Sequence, residues 1–283
     1  MLPPWRFLST GPGGAAYNMA LDEALLAVQE SGATPPTLRV YAWSQPTLSL
    51  GYAQNARQDL DLSACESQGV TVVRRPTGGR AVLHDQEVTY SVVMPLAVLD
   101  GADTITAHYH RIGLALAAAF QLLGLPVQLA RPQVRAASAH TLTSPACFAA
   151  LSRYELSIAG RKLVGSAQKR GQRALLQHGS IPLWLNRQQL FQCLRVPATQ
   201  RAALVHNAYA TMGAINEYTT TLVTAAAVQA ALRQGFSATF GHALVDMPVT
   251  PDEECLRQYL QDTKYASDLW NLAGAAAWRR SVV

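Results

Sequence analysis

Hydrophobic positions recur along the chain with two different periods, and these periods divide it into predicted helices and strands. A spacing of three to four residues predicts an amphipathic helix, whereas alternation or a β-branched run predicts a strand. The predicted helices are Met19–Val28, Asp59–Gln68, Ile105–Phe120, Thr219–Arg233 and a segment that begins at Thr250. The predicted strands are Leu38–Trp43, Pro46–Tyr52, Val70–Val73, Thr89–Met94, Tyr154–Ile158, Lys162–Gln168 and Leu175–Leu183.

Capping and turn residues mark the ends of several of these elements. Asn18 is placed to cap the first helix, while Gly69 and Gly124 are placed to end the second and third. Thr250-Pro251-Asp252-Glu253 has the spacing of a reciprocal capping box with proline in the first turn. Ala159-Gly160 separates two strand-like runs, which predicts a hairpin.

The order of the elements predicts an α+β fold with a mixed β-sheet flanked by helices. Strands cluster between residues 38 and 183, with helices between them and after them. The lack of strict β-α-β alternation argues against a Rossmann fold. We expect residues 1–283 to form one catalytic domain, with a core at about 15–250 and a helical C-terminal segment at about 250–283.

Composition supports a folded protein and narrows the function classes. Of the 283 residues, 49% are apolar and 14% are charged, which is unlike a disordered chain. No apolar run reaches the roughly 18 residues that a membrane span needs, and the first residues lack the pattern of a signal peptide. We therefore expect a cytoplasmic protein without a membrane partner.

The charge and the cysteine content argue against two kinds of site, one for nucleic acid and one for a metal ion. The formal net charge of +5 comes from 20 Arg and 3 Lys against 18 acidic residues, and the basic residues are spread along the chain. The mild basic excess favours an acidic partner, and its spread makes it weak evidence for nucleic-acid binding. The four cysteines show no CxxC spacing, so we expect free thiols and no metal site. Cys65, Cys193 and Cys255 lie in helical patterns and are interpreted as buried apolar residues.

The first candidate for chemistry is the loop Arg74-Arg75-Pro76-Thr77-Gly78-Gly79-Arg80, followed by Ala81-Val82-Leu83-His84-Asp85. The glycine pair allows the backbone to approach a ligand closely, and its N–H groups can accept an anion. The flanking arginines can hold a carboxylate or phosphate. The alternative is a simple β-turn with solvated arginines.

The second candidate is Gly160-Arg161-Lys162-Leu163-Val164-Gly165-Ser166-Ala167-Gln168. Lys162 opens an otherwise small or apolar strand, so its ammonium can point into a cleft. Gly165, Ser166 and Ala167 leave room for a ligand beside that strand. The alternative is a lysine that keeps an edge strand soluble.

Cys147 and two histidines complete the candidates. Cys147 follows residues 131–145, which have no apolar period and are interpreted as a mobile loop. A cysteine is a nucleophile only as a thiolate, which a nearby cation such as Lys162 would favour. His178, before Gly179 in Gln177-His178-Gly179-Ser180, and His84 can contact a carbonyl or transfer a proton. Each of these three residues can instead be structural.

Taken together, these segments resemble the superfamily of lipoate-protein ligases, octanoyltransferases and biotin ligases. Arg74–Asp85 is similar to its ligand loop, Gly160–Gln168 to its lysine strand, and Gln177–Ser180 to the strand that follows. The opening helix, Tyr17–Ala24, fits as well, so the likeness covers about residues 15–270. The closest branch is the LipM-type octanoyltransferases, whose nucleophilic cysteine precedes a Tyr-Glu-Leu strand, as Cys147 does here.

The resemblance implies transfer of an octanoyl group from acyl carrier protein to a lysine of a lipoyl domain, in lipoate biosynthesis. The acceptors implied are the glycine cleavage H protein or a 2-oxoacid dehydrogenase E2. The resemblance assigns catalysis to Cys147 and Lys162, with a thioester on the cysteine as the intermediate, and implies no cofactor. It assigns substrate contacts to Arg75, Thr77, Gly78, Gly79, His84, Gly165, Ser166, Ala167, Gln168, His178 and Gly179.

Two departures concern the ATP-dependent branch, because Arg80 stands where lipoate ligases usually have a third glycine and no accessory domain is evident. The alternatives are ATP-dependent ligation, acyl transfer between lipoyl proteins, and a non-catalytic acyl-binding module.

Overall fold

The computed structural model describes residues 3–99, 104–130 and 155–281. Cys147 and the predicted loop 131–145 lie outside the described residues. The strands are β1 (Trp5–Gly13), β2 (Thr37–Trp43), β3 (Thr47–Leu50), β4 (Thr71–Arg74), β5 (Val82–His84), β6 (Glu87–Pro95), β7 (Gln128–Leu129), β8 (Leu156–Ile158), β9 (Arg161–Lys162), β10 (Gly165–Arg170), β11 (Ala174–Pro182) and β12 (Leu244–Asp246). The α-helices are α1 (Ala15–Ser31), α2 (Ala56–Asp59), α3 (Leu62–Ser67), α4 (Ile105–Leu122), α5 (Arg187–Cys193), α6 (Ala198–Thr211), α7 (Ala225–Phe240), α8 (Pro251–Leu260) and α9 (Ala275–Ser281), with π-helical turns at Gln261–Tyr265 and Leu269–Ala273.

A six-stranded sheet carries the fold, in the order β10-β11-β6-β2-β1-β12. The first four strands pair antiparallel, whereas β2 pairs with β1 and β1 with β12 in parallel. Two three-stranded sheets, β4-β3-β5 and β7-β8-β9, lie beside it. The mixed sheet and its helices confirm the predicted α+β class.

Alternation along the strands separates two apolar layers, because successive side chains point to opposite faces of a sheet. Val92 and Leu175 face the layer that contains Ile112 of α4 and Phe236 of α7. The intervening residue Val93 faces the opposite layer, together with side chains of α1. Helices therefore cover both faces of the large sheet.

The pair α4 and α7 packs closely because a glycine lies at the crossing. A Cβ built on Gly235 would come within 2.6 Å of the Ala115 carbonyl oxygen. Larger side chains would hold the two helices apart. Within the described residues, no helix has the length and apolar character that a membrane crossing requires.

The structure corrects the start of three predicted helices. The first helix begins at Ala15, and Asn18 lies buried inside it, where its amide donates to the Gly13 and Ala42 carbonyls instead of capping. The predicted helix 59–68 is shorter, since Asp59 ends α2 and Asp61 caps α3, which begins at Leu62. The helix predicted from Thr219 begins at Ala225, after the Thr224 cap.

Of the other predicted features, some are confirmed and two are wrong. Thr250 and Glu253 form the capping box of α8, and β8 and β9 form the hairpin around Ala159-Gly160. The predicted strand 162–168 is interrupted at Leu163-Val164, so β9 and β10 belong to different sheets. Cys65 and Cys193 are buried as predicted, but Cys255 is exposed on α8.

Candidate functional site

A cavity lies where the glycine loop after β4, the strand β5 and the strands β10 and β11 meet. The cavity is lined by Met19, Tyr41, Trp43, Ser49, Arg75, Val82, His84, Thr89, Gly165, Ser166, Ala167, His178, Gly179 and Ser180. It therefore brings together segments separated by about a hundred residues in the sequence.

The predicted site residues divide into two groups by their relation to this cavity. Arg75, His84, Gly165, Ser166, Ala167, His178 and Gly179 line it. Thr77, Gly78, Gly79, Gln168 and Lys162 are not in its lining. Cys147 lies outside the described residues, so its role stays a prediction.

His178 lies between a carboxylate and a hydroxyl group. Its Nδ1 is 2.9 Å from Asp22 Oδ2, and its Nε2 is 2.7 Å from Thr77 Oγ1. Burial lowers the pKa of the His178 imidazole more than Asp22 raises it. The ring is therefore neutral near pH 7, and an ionised Asp22 selects the tautomer with its hydrogen on Nδ1.

Asp22 stays ionised although it is fully buried. Burial raises the pKa of its carboxyl, but the Arg39 guanidinium, 2.7 Å away, and His178 hold the pKa below its usual range. The hydroxyls of Tyr41 and Ser91 donate to it at 3.0 and 2.9 Å. A buried charge needs such partners, because an unpaired carboxylate would be strongly destabilising.

His84 also lies between a carboxylate and a hydroxyl group. Its Nδ1 is 2.8 Å from Glu87 Oε1, and its Nε2 is 2.8 Å from Ser49 Oγ. Trp43 stacks on the imidazole with ring centroids 4.3 Å apart. Burial raises the pKa of the Glu87 carboxyl, but His84 and hydroxyl donors outweigh burial and lower it. Two carboxylate–imidazole–hydroxyl chains thus meet at one cavity.

The arginines of the glycine loop bind backbone carbonyls. Arg75 donates to the carbonyls of Gly78 and Arg80 and to Ser49, which folds the loop around the guanidinium. Arg74 donates to carbonyls that include those of Gly51 and Trp270. These bonds give the loop a fixed shape beside the cavity.

Lys162 is buried beside the cavity rather than in its lining. Its Nζ donates to Glu155 Oε1 at 2.5 Å, and both side chains are at most 5% exposed. Glu155 also acts on Tyr90: burial raises the pKa of the Tyr90 phenol to about 12, and the Glu155 charge adds to the rise. The Tyr90 hydroxyl lies 2.7 Å from Ser166 Oγ, a residue of the cavity lining, so the Glu155 charge acts close to the cavity.

Gln168 is the remaining polar candidate, on β10. Its amide nitrogen lies 3.4 Å from Gln177 Oε1, and among the described residues its Oε1 has no hydrogen-bond partner.

The described part of the chain contains no group of three or more His, Cys, Asp or Glu residues that could hold a metal ion.

Asp22, Glu87 and Glu155 belong to the site but were not predicted from the sequence. A signal existed for the first two. Asn18 and Asp22 stand four apart on a mostly apolar helix, and Glu87, Thr89 and Ser91 alternate with apolar residues on β6. Polar stripes of this kind on buried elements indicate an internal hydrogen-bond network.

Comparison with known proteins gives one family. The model of the lipoyl protein ligase A/B catalytic domain matches residues 14–237. The chain is 40% identical to octanoyltransferase LipM of Kyrpidia tusciae over 94% of this chain and 98% of that protein. It is 42% identical to octanoyltransferase LipM of Moorella thermoacetica over 94% of this chain and 97% of that protein.

Solved structures give the same fold. A bi-partite lipoate protein ligase of Thermoplasma acidophilum, described with its E2 lipoyl domain, matches with a TM-score of 0.79 and 26% identity, covering 95% of this chain and 96% of that one. A lipoate-protein ligase A bound with ATP matches with a TM-score of 0.76 and 26% identity, covering 95% and 99%.

Proposed function

The chain is an octanoyltransferase that belongs to the lipoyl protein ligase A/B catalytic-domain family, and we propose that it transfers the octanoyl group through a thioester on Cys147. The donor we propose is octanoyl-acyl carrier protein, and the acceptor is a lysine of a lipoyl domain. The observation that carries this proposal is similarity to octanoyltransferases over 94% of the chain.

The chemistry of the donor supports a route without ATP. A thioester is already activated, so its transfer to an amine is favourable. A free carboxylate must first be activated, for example by adenylation. A cysteine nucleophile serves the first route, because a thiolate exchanges readily with a thioester. Cys147 is the residue that the family resemblance assigns to this step.

The proposed reaction has two half-reactions. In the first, the Cys147 thiolate attacks the thioester carbonyl, the C–S bond to the carrier breaks, and the carrier leaves as a thiolate. In the second, a lysine amine attacks the enzyme thioester, the C–S bond breaks and an amide forms. Lys162 is proposed to stabilise the thiolate and the carbonyl oxygen, and its contact with Glu155 fixes the position of the ammonium.

The lining of the cavity combines the apolar and polar side chains that a short acyl chain next to a reactive carbonyl would need. Met19, Val82 and Trp43 give it apolar walls, while Gly165 and Gly179 leave space beside the strands. Each buried CH₂ contributes about 0.8 kcal/mol, so shape and depth can select the chain length. The polar side chains His84 and His178 lie in the same lining.

ATP-dependent ligation is the second candidate, because a lipoate-protein ligase bound with ATP shares 26% identity and a TM-score of 0.76 with this chain. The two functions differ in their requirements. We expect the wild-type protein to modify a lipoyl domain from octanoyl-acyl carrier protein without ATP, and Cys147→Ala to lose this activity. Cys255→Ala, which changes an exposed cysteine on α8, serves as the matched control. Modification that needs ATP and free lipoate, and that survives Cys147→Ala, would establish ligation instead.

A further inference from the structure

A group of basic side chains surrounds Glu23 on α1. The ammonium groups of Lys169 and Lys264 lie 3.0 and 2.5 Å from the two carboxylate oxygens of Glu23. Burial lowers the pKa of the Lys264 ammonium, and the nearby charges of Lys169 and Arg279 lower it further, against the effect of Glu23. Three cations therefore lie close together around one carboxylate, which cannot neutralise all of them.

Two exposed segments extend this group into a larger surface. Arg173, in the turn between β10 and β11, is exposed, and its backbone N–H donates to Glu30, two helical turns after Glu23. The last turn of α9 carries two exposed arginines, Arg279 and Arg280. We call the whole group the basic surface, and its members are Lys169, Arg170, Arg173, Lys264, Arg279 and Arg280.

Acidic side chains do not cancel the charge of the basic surface. Glu23 is held by two lysines, and Glu30 accepts from backbone N–H groups of the turn after β10. Residues 261–281 add the exposed Asp262 and Asp268. With these included, six basic residues stand against four acidic ones. The basic surface therefore favours an anionic ligand.

The basic surface begins beside the cavity. Met19 lines the cavity, and Glu23 follows it after one turn of α1, a rise of about 6 Å. Ala167 lines the cavity from β10, and Lys169 follows it on the same face of that strand after about 7 Å. A helix and a strand thus lead from the cavity lining to the same group of cations.

The α9 end of the basic surface lies next to the glycine loop. The guanidinium of Arg279 is 5.7 Å from the centre of the Tyr52 ring. The backbone N–H of Tyr52 donates to the carbonyl of Thr77, which precedes Gly78 in the loop. A molecule that lies across the basic surface therefore also lies beside the loop that borders the cavity.

The proposed donor carries an anion at a matching distance from its acyl group. In acyl carrier protein a phosphopantetheine arm holds the thioester sulfur, and a phosphodiester joins this arm to the protein. The arm has about as many chain bonds as four residues of extended polypeptide, so it spans roughly 14 Å. With the acyl chain in the cavity, the phosphodiester can reach cations that begin one helical turn from the lining. The acceptor lysine of a lipoyl domain has neither this anion nor this reach.

We propose that the basic surface is the docking site of the octanoyl donor and binds the phosphodiester of its phosphopantetheine arm. Guanidinium and ammonium groups form strong charge-assisted hydrogen bonds with phosphate oxygens. This inference rests on the proposed function, because it needs an acyl carrier protein as the donor. It does not depend on which residue of the enzyme carries the octanoyl group.

Three octanoyl donors separate the phosphate from the rest of the carrier. They are octanoyl-acyl carrier protein, octanoyl-phosphopantetheine and octanoyl-pantetheine, which lacks the phosphate. Each is supplied to the wild-type protein at low ionic strength, with a lipoyl domain as acceptor and without ATP. We expect the KM for octanoyl-phosphopantetheine to be roughly tenfold lower than the KM for octanoyl-pantetheine, because only the first offers an anion to the basic surface.

Charge reversal of exposed arginines tests the place of the phosphate site. We expect Arg173→Glu and Arg279→Glu each to raise the KM for octanoyl-acyl carrier protein roughly 3–10-fold and to reduce the preference for the phosphorylated small donor by a similar factor. Because this preference is a ratio of two donors, a general loss of active protein does not change it. Arg195→Glu, which changes an exposed arginine near Asp61, serves as the matched control.

Contrary results are distinct from a failure of the proposed function. A wild-type protein without preference for the phosphorylated donor would refute the phosphate site, and so would variants that keep the wild-type preference. A higher KM for the lipoyl domain with an unchanged KM for the carrier would assign the basic surface to the acceptor instead. An equal effect of Arg195→Glu would also contradict the proposal. If the wild-type protein transfers an octanoyl group from none of the three donors, the proposed function itself fails.

Discussion

Buried charges at the site are held in pairs, and each pair makes the protein sensitive to the loss of one member. Lys162 and Glu155 are 1% and 5% exposed, and their charged atoms are 2.5 Å apart. Taking two ions out of water is costly, and their attraction offsets that cost only while both are present. The side chains that organise the site are therefore also side chains on which folding depends.

Replacing Lys162 alone should destabilise the fold more than replacing the pair. We expect Lys162→Met to lower the free energy of unfolding by about 3–5 kcal/mol, because Glu155 loses the buried cation that it contacts. The double variant Lys162→Met/Glu155→Leu should recover much of this loss, and urea unfolding would measure both. A single variant as stable as the wild type would show that the pair does not act as a unit.

Sequence patterns could predict residue types at the site but not their partners. The glycine pair, Lys162 and His178 stand out because each interrupts a local pattern. The link from His178 to Asp22 spans 156 residues, and the link to Thr77 spans 101. Such contacts depend on strand order, which periodicity along the chain does not contain.

The glycine loop is positioned by a close backbone contact between two elements. Gly51 follows β3, and a Cβ at that position would lie 1.9 Å from the Gly79 carbonyl oxygen. Gly79 has a φ of 93°, a conformation that suits glycine. The loop can therefore pack against β3 only if position 51 has no side chain.

Gly51→Ala should disturb the loop, since the new methyl group meets backbone atoms that cannot move independently of β4 and β5. We expect a lower melting temperature and a loss of acyl transfer. Gly78→Ala is the matched variant for stability, because a Cβ there has no atom within 4 Å. Equal melting temperatures for the two variants would contradict this account of the loop.

Element boundaries were predicted where local chemistry decides them and missed where tertiary contacts do. The capping box at Thr250 and the turn at Ala159-Gly160 are local, and both are present. Asn18 is a residue type that often caps helices, but its side-chain amide donates to the carbonyls of Gly13 and Ala42 instead. The interruption at Leu163-Val164 could not be predicted from the sequence, because residues 162–168 have the pattern of one continuous strand.

At the scale of the molecule, the C-terminal segment is joined to the site by buried polar contacts. Lys264 and Tyr265 donate to Glu23, which follows Asp22 on α1. Asn271 accepts from the backbone N–H of Arg74, immediately before the glycine loop. The segment therefore supports both the helix that carries Asp22 and the strand that carries the loop.

The net charge of +5 predicts how protein partners bind. An acidic carrier or lipoyl domain would be attracted over a distance of about 8 Å at physiological ionic strength, and added salt screens this attraction. We expect the KM for protein substrates to rise as salt increases, while kcat changes little. A small-molecule octanoyl thioester serves as the control donor. A KM that salt does not change would contradict charge-assisted docking.

The central claim is that a cysteine of this chain carries the octanoyl group, and the intact mass of the protein tests it most directly. After incubation with octanoyl-acyl carrier protein, the wild-type protein should gain the mass of one octanoyl group, located on Cys147 by peptide mapping. Adding a lipoyl domain should remove this mass and place it on the domain. An adduct that persists in Cys147→Ala, or a wild-type protein that transfers octanoyl groups without ever gaining mass, would contradict the account.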